Sequence, residues 1–405
     1  MERHDNAAFF LMAQTQVGSP TGGVIPYGIA DPGAGKSRVI EAFANAIGYE
    51  CSQVLGTQND PAEIKGFPET AETVTVYPDG REETKVFVSI IPPKYAVLAS
   101  EKPTVLFFDE LGSCPRAVQA SLLSVLTERK IGDMELPDDT ILVAAGNPVE
   151  SAANGVPLEA PMANRMYHHK WTTPWRTWEQ GLLNGLEFPN PEFTKLPASW
   201  RTNIPLIGSQ VAAFRKRKPE AFEMPKDDNG KLSRSELSGA WPSMRTWTMY
   251  VEAASAAEAA YPGDESLKRE LCEGLVGKTY SLEFFEYLDQ LDLPDPEALL
   301  LEFMTAAKSG RQADYDHPGR ADQVQAMLGA VTARVLADKN RQRWDAACSI
   351  LSAAASHDKE VSLSCAGPLF RIDEVKDGKW SADEQLTHDV WNLFGRCLEE
   401  EHGAK

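Results

Sequence analysis

The residues best suited to chemistry run Ala30-Asp31-Pro32-Gly33-Ala34-Gly35-Lys36-Ser37, between a short apolar stretch at 24–30 and a helical stretch at 38–47. Strand, glycine-rich loop and helix in that order make a phosphate cradle. Successive backbone N–H groups can face one concavity at the positive end of a helix, Lys36 can reach the β and γ phosphates, and Ser37 offers a hydroxyl to Mg²⁺. The candidate nucleotide contacts are therefore Asp31, Pro32, Gly33, Ala34, Gly35, Lys36, Ser37 and Arg38. Ala30 stands where such loops begin with glycine, and its Cβ opposes a positive φ, which puts the turn geometry in question. The alternative for this segment is a glycine-rich turn without a ligand.

About 70 residues later Thr104-Val105-Leu106-Phe107-Phe108 runs into Asp109-Glu110. An apolar strand that ends in two carboxylates suits a Mg²⁺-ATP site, with Asp109 at the metal's water shell and Glu110 taking a proton from the attacking water. A buried strand that simply ends in acidic residues is the alternative, and the phosphate loop upstream argues against it. The next apolar run, 141–145, leads to Gly146-Asn147-Pro148. Asn147 can orient the nucleophilic water or bind the γ phosphate; equally, Asn-Pro can merely start a turn.

These groups meet only if strands and helices alternate around them. From residue 24 to about 172 they do, with strand-like runs at 24–30, 51–55, 105–108, 141–145 and 167–171 between helical stretches, the pattern of a parallel α/β sheet covered by helices. Two β-rich runs around Pro78-Asp79-Gly80 predict an inserted hairpin at 74–90. After about residue 200, helical segments are expected near 206–218, 243–260, 265–290, 297–308, 321–337, 340–355 and 382–401. Asp60-Pro61-Ala62-Glu63 and Asp295-Pro296-Glu297 read as capped helix starts. The Pro-rich stretch 185–201 reads as a connector, and 310–320 as a second one.

Composition narrows the function classes. Of 405 residues, 42% are hydrophobic and 9% aromatic, enough for buried cores in two or three domains and too much for a disordered acidic chain. Lys and Arg total 40 against 59 Asp and Glu, a net charge of −19, which repels phosphate backbones and disfavours a broad nucleic-acid or acidic-membrane footprint. No basic leader and no apolar run of membrane-spanning length is present, so the expected location is the cytoplasm. The cysteines at 51, 114, 272, 348, 365 and 397 form no CxxC pair and are expected as free, mostly buried thiols.

Taken in order, the phosphate loop, the Asp-Glu strand and the strand-end Asn resemble the AAA+ ATPases. The helix-forming stretch 115–129 and Ala145-Gly146-Asn147-Pro148 are similar to the MoxR-type branch; residues 60–66, the hairpin at 74–90 and the segment 130–139 fall where that branch carries its helix-2 insert and its second hairpin. The resemblance covers roughly residues 5–290. It implies an AAA+ P-loop parallel sheet domain with inserted β-hairpins at 1–195, an all-helical lid at 196–290 and extra C-terminal helices at 291–405. It also implies an arginine finger at Arg165, reaching a neighbouring subunit's γ phosphate, and a second sensor at Arg245, over the β and γ phosphates of its own subunit. The implied cofactor and substrate are Mg²⁺ and ATP. The implied assembly is a homo-oligomeric ring, expected as a hexamer, that remodels or chaperones a protein client, with a von Willebrand A-domain protein as the partner class. An ATP-gated scaffold with little turnover and a nucleic-acid-loading AAA+ protein are the competing readings, the second disfavoured by charge.

Other features have plainer explanations. His168 and His169, adjacent on a strand, point to opposite faces and suit one core and one surface position. Asp314, Asp316 and His317 fit a solvated loop better than a metal site. Arg215-Lys216-Arg217-Lys218 complements a helix C-terminus. Trp171, Trp175 and Trp178 are expected to pack a connector or a subunit contact. Phe67 is either a pore residue or buried, and Arg116 is a weaker candidate for a subunit interface.

Overall fold

The computed structural model describes residues 5–56, 60–148, 156–173, 175–226, 230, 236–291, 293–311 and 313–380. Two compact units interleave along the chain: residues 1–196, 224–260 and 264–278 form the first, and 197–223, 261–263 and 279–405 the second.

The first unit holds all the described strands. In chain order these are β1 (Ile25–Ile29), β2 (Glu50–Leu55), the hairpin β3 (Phe67–Val76) and β4 (Glu82–Ile91), β5 (Thr104–Asp109), the short pair β6 (Lys130–Ile131) and β7 (Met134–Glu135), β8 (Ile141–Gly146) and β9 (Met166–Lys170). Five of them make a sheet in the order β2-β5-β8-β1-β9, every pair parallel. Strands β5 and β8 are apolar without alternation because both faces are covered. Val105, Phe107, Ile141 and Val143 pack on one side with Phe10, Val39 and Phe43; Leu106, Phe108, Leu142 and Ala144 pack on the other with Val118, Leu122 and Val125.

Helices of this unit are α1 (Ala7–Thr15), α2 (Lys36–Ala46), α3 (Pro61–Lys65), α4 (Lys94–Glu101), α5 (Arg116–Glu128), α6 (Ala160–Ala163) and α7 (Trp175–Leu183). Helix α1, absent from the sequence reading, has eight of its nine residues buried; an apolar surface all round leaves no 3.6-residue period to detect. The expected cap at Asp60 forms, its N–H donating to Glu63 Oε2 at 2.8 Å. The inserted hairpin is longer than 74–90 and mostly exposed. The second unit opens with α8 (Ile204–Arg217), whose last turn carries Arg215, Lys216 and Arg217. The chain then returns to the first unit through α9 (Met244–Ala260) and α10 (Glu265–Val276).

The run expected as one helix at 265–290 is two, because Gly277 adopts φ 88° and ends α10 before α11 (Lys278–Asp289) begins. Helices α12 (Pro296–Ser309), α13 (Ala321–Ala337), α14 (Arg341–Ala355), α15 (Lys359–Phe370) and α16 (Asp373–Lys376) complete the second unit around Leu300, Val324, Leu328, Trp344 and Leu351. In its interhelical segment His317 stacks on His357 with ring centroids 4.5 Å apart. No group of three or more His, Cys, Asp or Glu that could hold a metal occurs among the described residues. The helix expected at 382–401 and Cys397 lie outside them. No described helix is long and apolar enough to cross a membrane, and Cys51, Cys114, Cys272, Cys348 and Cys365 are free.

Helix α10 lies against β9 at Gly274, where an added Cβ would meet the Tyr167 ring at 2.3 Å and the His168 carbonyl at 2.6 Å. In an open helix Gly→Ala gains about 1 kcal/mol. Here overpacking reverses the sign, and Gly274→Ala should lose about 1–3 kcal/mol in denaturant unfolding. A variant as stable as the parent would mean that α10 does not sit on β9.

Candidate nucleotide site

The phosphate loop spans the gap from β1 to α2. Gly33 and Gly35 take φ values of 82° and 78°, the left-handed region that only glycine enters without strain. Ala30 is not among the positive-φ residues, so the Ala in place of the usual first glycine fits without distortion. Its N–H donates to the Gly146 carbonyl at 3.3 Å and prolongs the β1–β8 ladder, in which Ile29 faces Gly146. That register carries Asn147, the residue just after β8, up to the loop. Gly146 must be glycine there, since a Cβ would lie 2.3 Å from the Tyr27 hydroxyl.

The Lys36 ammonium donates to Asn147 Oδ1 at 3.0 Å and to the carbonyls of Ala30 at 2.7 Å and Asp31 at 3.3 Å. Burial holds its pKa below the usual lysine value, an effect partly offset by the charges of Asp109 and Asp31. An entering polyanion favours the charged ammonium and works against that burial. One residue on, Ser37 Oγ donates to Asp109 Oδ2 at 3.1 Å. Asp109 is held from two further directions, by Gln53 Nε2 at 2.8 Å on Oδ2 and by the Glu110 N–H at 2.8 Å on Oδ1. Glu110 itself sits at φ 59°, ψ 30°, a strained conformation for a non-glycine residue, and lines the same cavity.

A cavity of about 350 Å³ lies between residues 32–38, Asp109, Glu110 and Asn147. The structure thus brings together Pro32, Gly33, Ala34, Gly35, Lys36, Ser37, Arg38, Asp109, Glu110 and Asn147, while Asp31 is outside the cavity lining and contributes its carbonyl to Lys36. Gln53 is the site residue that the sequence reading missed. It lies on an edge strand, where a polar residue is ordinary, so nothing in the sequence marked it.

Arg165 and Arg245 are elsewhere. Arg165 immediately precedes β9, whose first residue Met166 is level with Ile25, the first residue of β1. Both arginines line a second cavity, of about 540 Å³, together with Gly23, Ile25, Arg129 and Glu252. Arg165 Nη1 donates to the Pro161 carbonyl at 2.6 Å, and Arg245 Nη1 to Asn164 Oδ1 at 3.3 Å. Desolvation and then the neighbouring Arg245 charge depress the Arg165 pKa. This cavity is at the amino edge of the sheet and the phosphate loop is at the carboxyl edge, with the five residues of β1, roughly 15 Å, between them. The expectation that Arg245 covers the phosphates of its own subunit is therefore corrected. Asn164 fixes the start of α9 beside Arg165, with its Nδ2 donating to the Trp241 carbonyl at 3.3 Å and its Oδ1 accepting from Ser243 Oγ at 3.0 Å.

The remaining candidates resolve simply. Arg116 is exposed and pairs with Glu159 at 3.1 Å. His168 bonds the Ala163 carbonyl and packs against Tyr27, and His169 is buried against Asn6 and Tyr167, so neither occupies the expected surface position. Phe67 is 54% exposed, which excludes the buried reading. Trp171 is buried with Phe9 and Phe10, whereas Trp175 and Trp178 are exposed by 62% and 47%.

Residues 29–166 match the model of the AAA domain, dynein-related subfamily. The loop, the Asp-Glu strand end and the strand-end Asn all fall inside that match. The first unit is an AAA+ domain, and the chain is a P-loop ATPase. No curated protein matches the chain at a significant level. Among solved structures it is similar to a candidate ATPase of Cytophaga hutchinsonii, with 17% identity over 66% of this chain and 78% of that one and a TM-score of 0.38.

The oxygens of Ser37 and Asp109, 3.1 Å apart on the cavity wall, are a hard donor set of the kind Mg²⁺ prefers. Gln53 is then an outer partner that aims Asp109. Gln53→Leu should keep ATP affinity within a few-fold and lower Mg²⁺-dependent turnover about 10- to 100-fold, measured as steady-state phosphate release against Mg²⁺ concentration. Unchanged turnover would remove Gln53 from the site.

Proposed function

We propose that this chain is a MoxR-like AAA+ ATPase that hydrolyses ATP in a homo-oligomeric ring, hexameric by family resemblance, and uses the cycle to remodel a partner protein. The observation that carries this reading is the separation within one subunit of two halves of a hydrolytic site. The phosphate-holding and proton-accepting groups sit at the carboxyl edge, and a pair of arginines faces an open cavity at the amino edge. A neighbouring copy brings the two edges together.

In the proposed cycle the loop N–H groups take the triphosphate, and Lys36 exchanges its carbonyl partners for β and γ oxygens. Ser37 and Asp109 would hold Mg²⁺, which would neutralise phosphate charge. Asn147, released from Lys36, orients the water; Glu110 accepts its proton as the oxygen attacks the γ phosphorus, and ADP and phosphate leave. Arg165 and Arg245, both from the neighbour, offset charge on the transferring phosphoryl group. A von Willebrand A-domain protein is the partner class that the MoxR resemblance suggests.

Lys36→Ala should abolish ATP binding. Glu110→Gln should bind ATP normally and turn over about 10²- to 10⁴-fold more slowly, and Arg165→Ala about 10³-fold or more slowly. Mixing the last two inactive variants should restore part of the ATPase rate, because an Arg165→Ala subunit supplies an intact pocket to which a Glu110→Gln neighbour adds the missing arginine. A mixture as dead as its components argues against shared sites. Slow turnover in the parent, unaltered by Glu110→Gln, favours an ATP-gated scaffold, and tight salt-dependent DNA binding favours a nucleic-acid loader.

A further inference from the structure

The two arginines of the amino-edge cavity sit where electrostatics disfavours them. Arg245 is the second residue of α9, so its cation lies at the positive end of that helix, and burial first and the Arg245 charge second depress the Arg165 pKa. Like charges repel. The hydrogen bonds that hold the pair end on neutral oxygens, the Pro161 carbonyl for Arg165 and Asn164 Oδ1 for Arg245. Two cations are thus kept facing one cavity, and an entering polyanion is the ligand that relieves them.

The Asn164 amide is the joint. Its Oδ1 accepts from Arg245 Nη1 at 3.3 Å and from Ser243 Oγ at 3.0 Å, and its Nδ2 donates to the Trp241 carbonyl at 3.3 Å. Both lone pairs of the oxygen are used. Ser243 immediately precedes α9, and it exchanges hydrogen bonds with Thr246: its Oγ accepts from the Thr246 N–H at 3.2 Å, and its N–H donates to Thr246 Oγ1 at 2.8 Å. That reciprocal cap fixes the turn on which Arg245 lies. At the other side of the joint the Asn164 N–H donates to the Ala160 carbonyl at 3.1 Å and the Arg165 N–H to the Met162 carbonyl at 3.0 Å, closing α6, and the Arg165 side chain folds back on Pro161 of the same helix. Asn164 is 2% exposed. A buried amide therefore ties the helix end that carries Arg165 to the helix start that carries Arg245, and being neutral it directs Arg245 without cancelling its charge.

We infer that Asn164 is a positioning residue for hydrolysis, holding Arg165 and Arg245 as one unit that faces the cavity where the neighbouring copy's γ phosphate enters. The inference rests on the proposed shared site and adds the group that sets its arginines. Asn164 does not itself line the cavity, so its loss acts through where the arginines lie, and a misplacement of about 1 Å can cost about 100-fold in rate. The subunit's own phosphate pocket, at the other end of β1, keeps its affinity.

The test is steady-state phosphate release by full-length chains carrying Asn164→Leu or Asn164→Ala, alone and in mixtures. Each should lower kcat about 10- to 100-fold and leave KM for ATP within about threefold of the parent. Mixed with Glu110→Gln subunits, whose arginines are intact, each should regain part of the rate; mixed with Arg165→Ala subunits, which share the defect, neither should regain any. Damage to the fold or to the subunit's own pocket would instead raise KM and give no recovery with Glu110→Gln. The assignment is overturned by parental kcat in both variants, by a loss that lies in KM, by equal recovery with the two partners, or by no recovery with Glu110→Gln where Arg165→Ala does recover with it. If Arg165→Ala and Arg245→Ala subunits turn over at the parental rate, or no mixture recovers, it is the shared site itself that fails, and the role of Asn164 with it.

Discussion

The whole site depends on one ammonium group held at the tips of adjacent parallel strands. Lys36 reaches the carbonyls that follow β1 and the amide that follows β8, and its neighbour Ser37 reaches the carboxylate that ends β5. Sheet register makes this possible, because Ile29 faces Gly146 and Phe108 faces Ala144, so three strands finish within a residue or two of one another. A slip of one residue in any of them would invert its buried faces and also move its polar tip away from the loop. Packing of the core and assembly of the site are thus the same constraint.

Within the resting pocket the polar groups satisfy one another. Lys36 has three oxygen partners and Asp109 has three donors, so ligand binding exchanges protein contacts for phosphate contacts and desolvates little that was free. The group most burdened in this state is Lys36, whose charge is disfavoured by burial. Glu110 carries a different burden, a left-handed backbone of a kind that costs about 1–3 kcal/mol. Both are placed where a reacting phosphate relieves or uses them.

The parts that were legible in the sequence are those whose chemistry is contiguous. Gly33, Gly35, Lys36 and Ser37 fall within one run of eight residues, 30–37, and Asp109-Glu110 closes an apolar strand. Asn147 needed the order of the strands as well. Other parts depend on contacts between distant residues and left no local trace: Gln53 is one more polar residue on an edge strand, and α1 is too uniformly apolar to show a period. The edge on which Arg245 lies is set by Asn164 gripping Trp241 and Ser243, some 80 residues away. Trp175 and Trp178 read as packing residues because aromatic rings usually are, and only their exposure distinguishes them.

Strand β9 links the two edges. Its amino end begins one residue after Arg165, and its carboxyl end leads within a few residues to α7. Along its length it is paired to β1, the strand that carries the phosphate loop, and Gly274 of α10 closes on it through Tyr167. In the proposed ring Arg165 serves the adjacent pocket, so β9 joins the strand that carries one phosphate loop to an arginine of the next site.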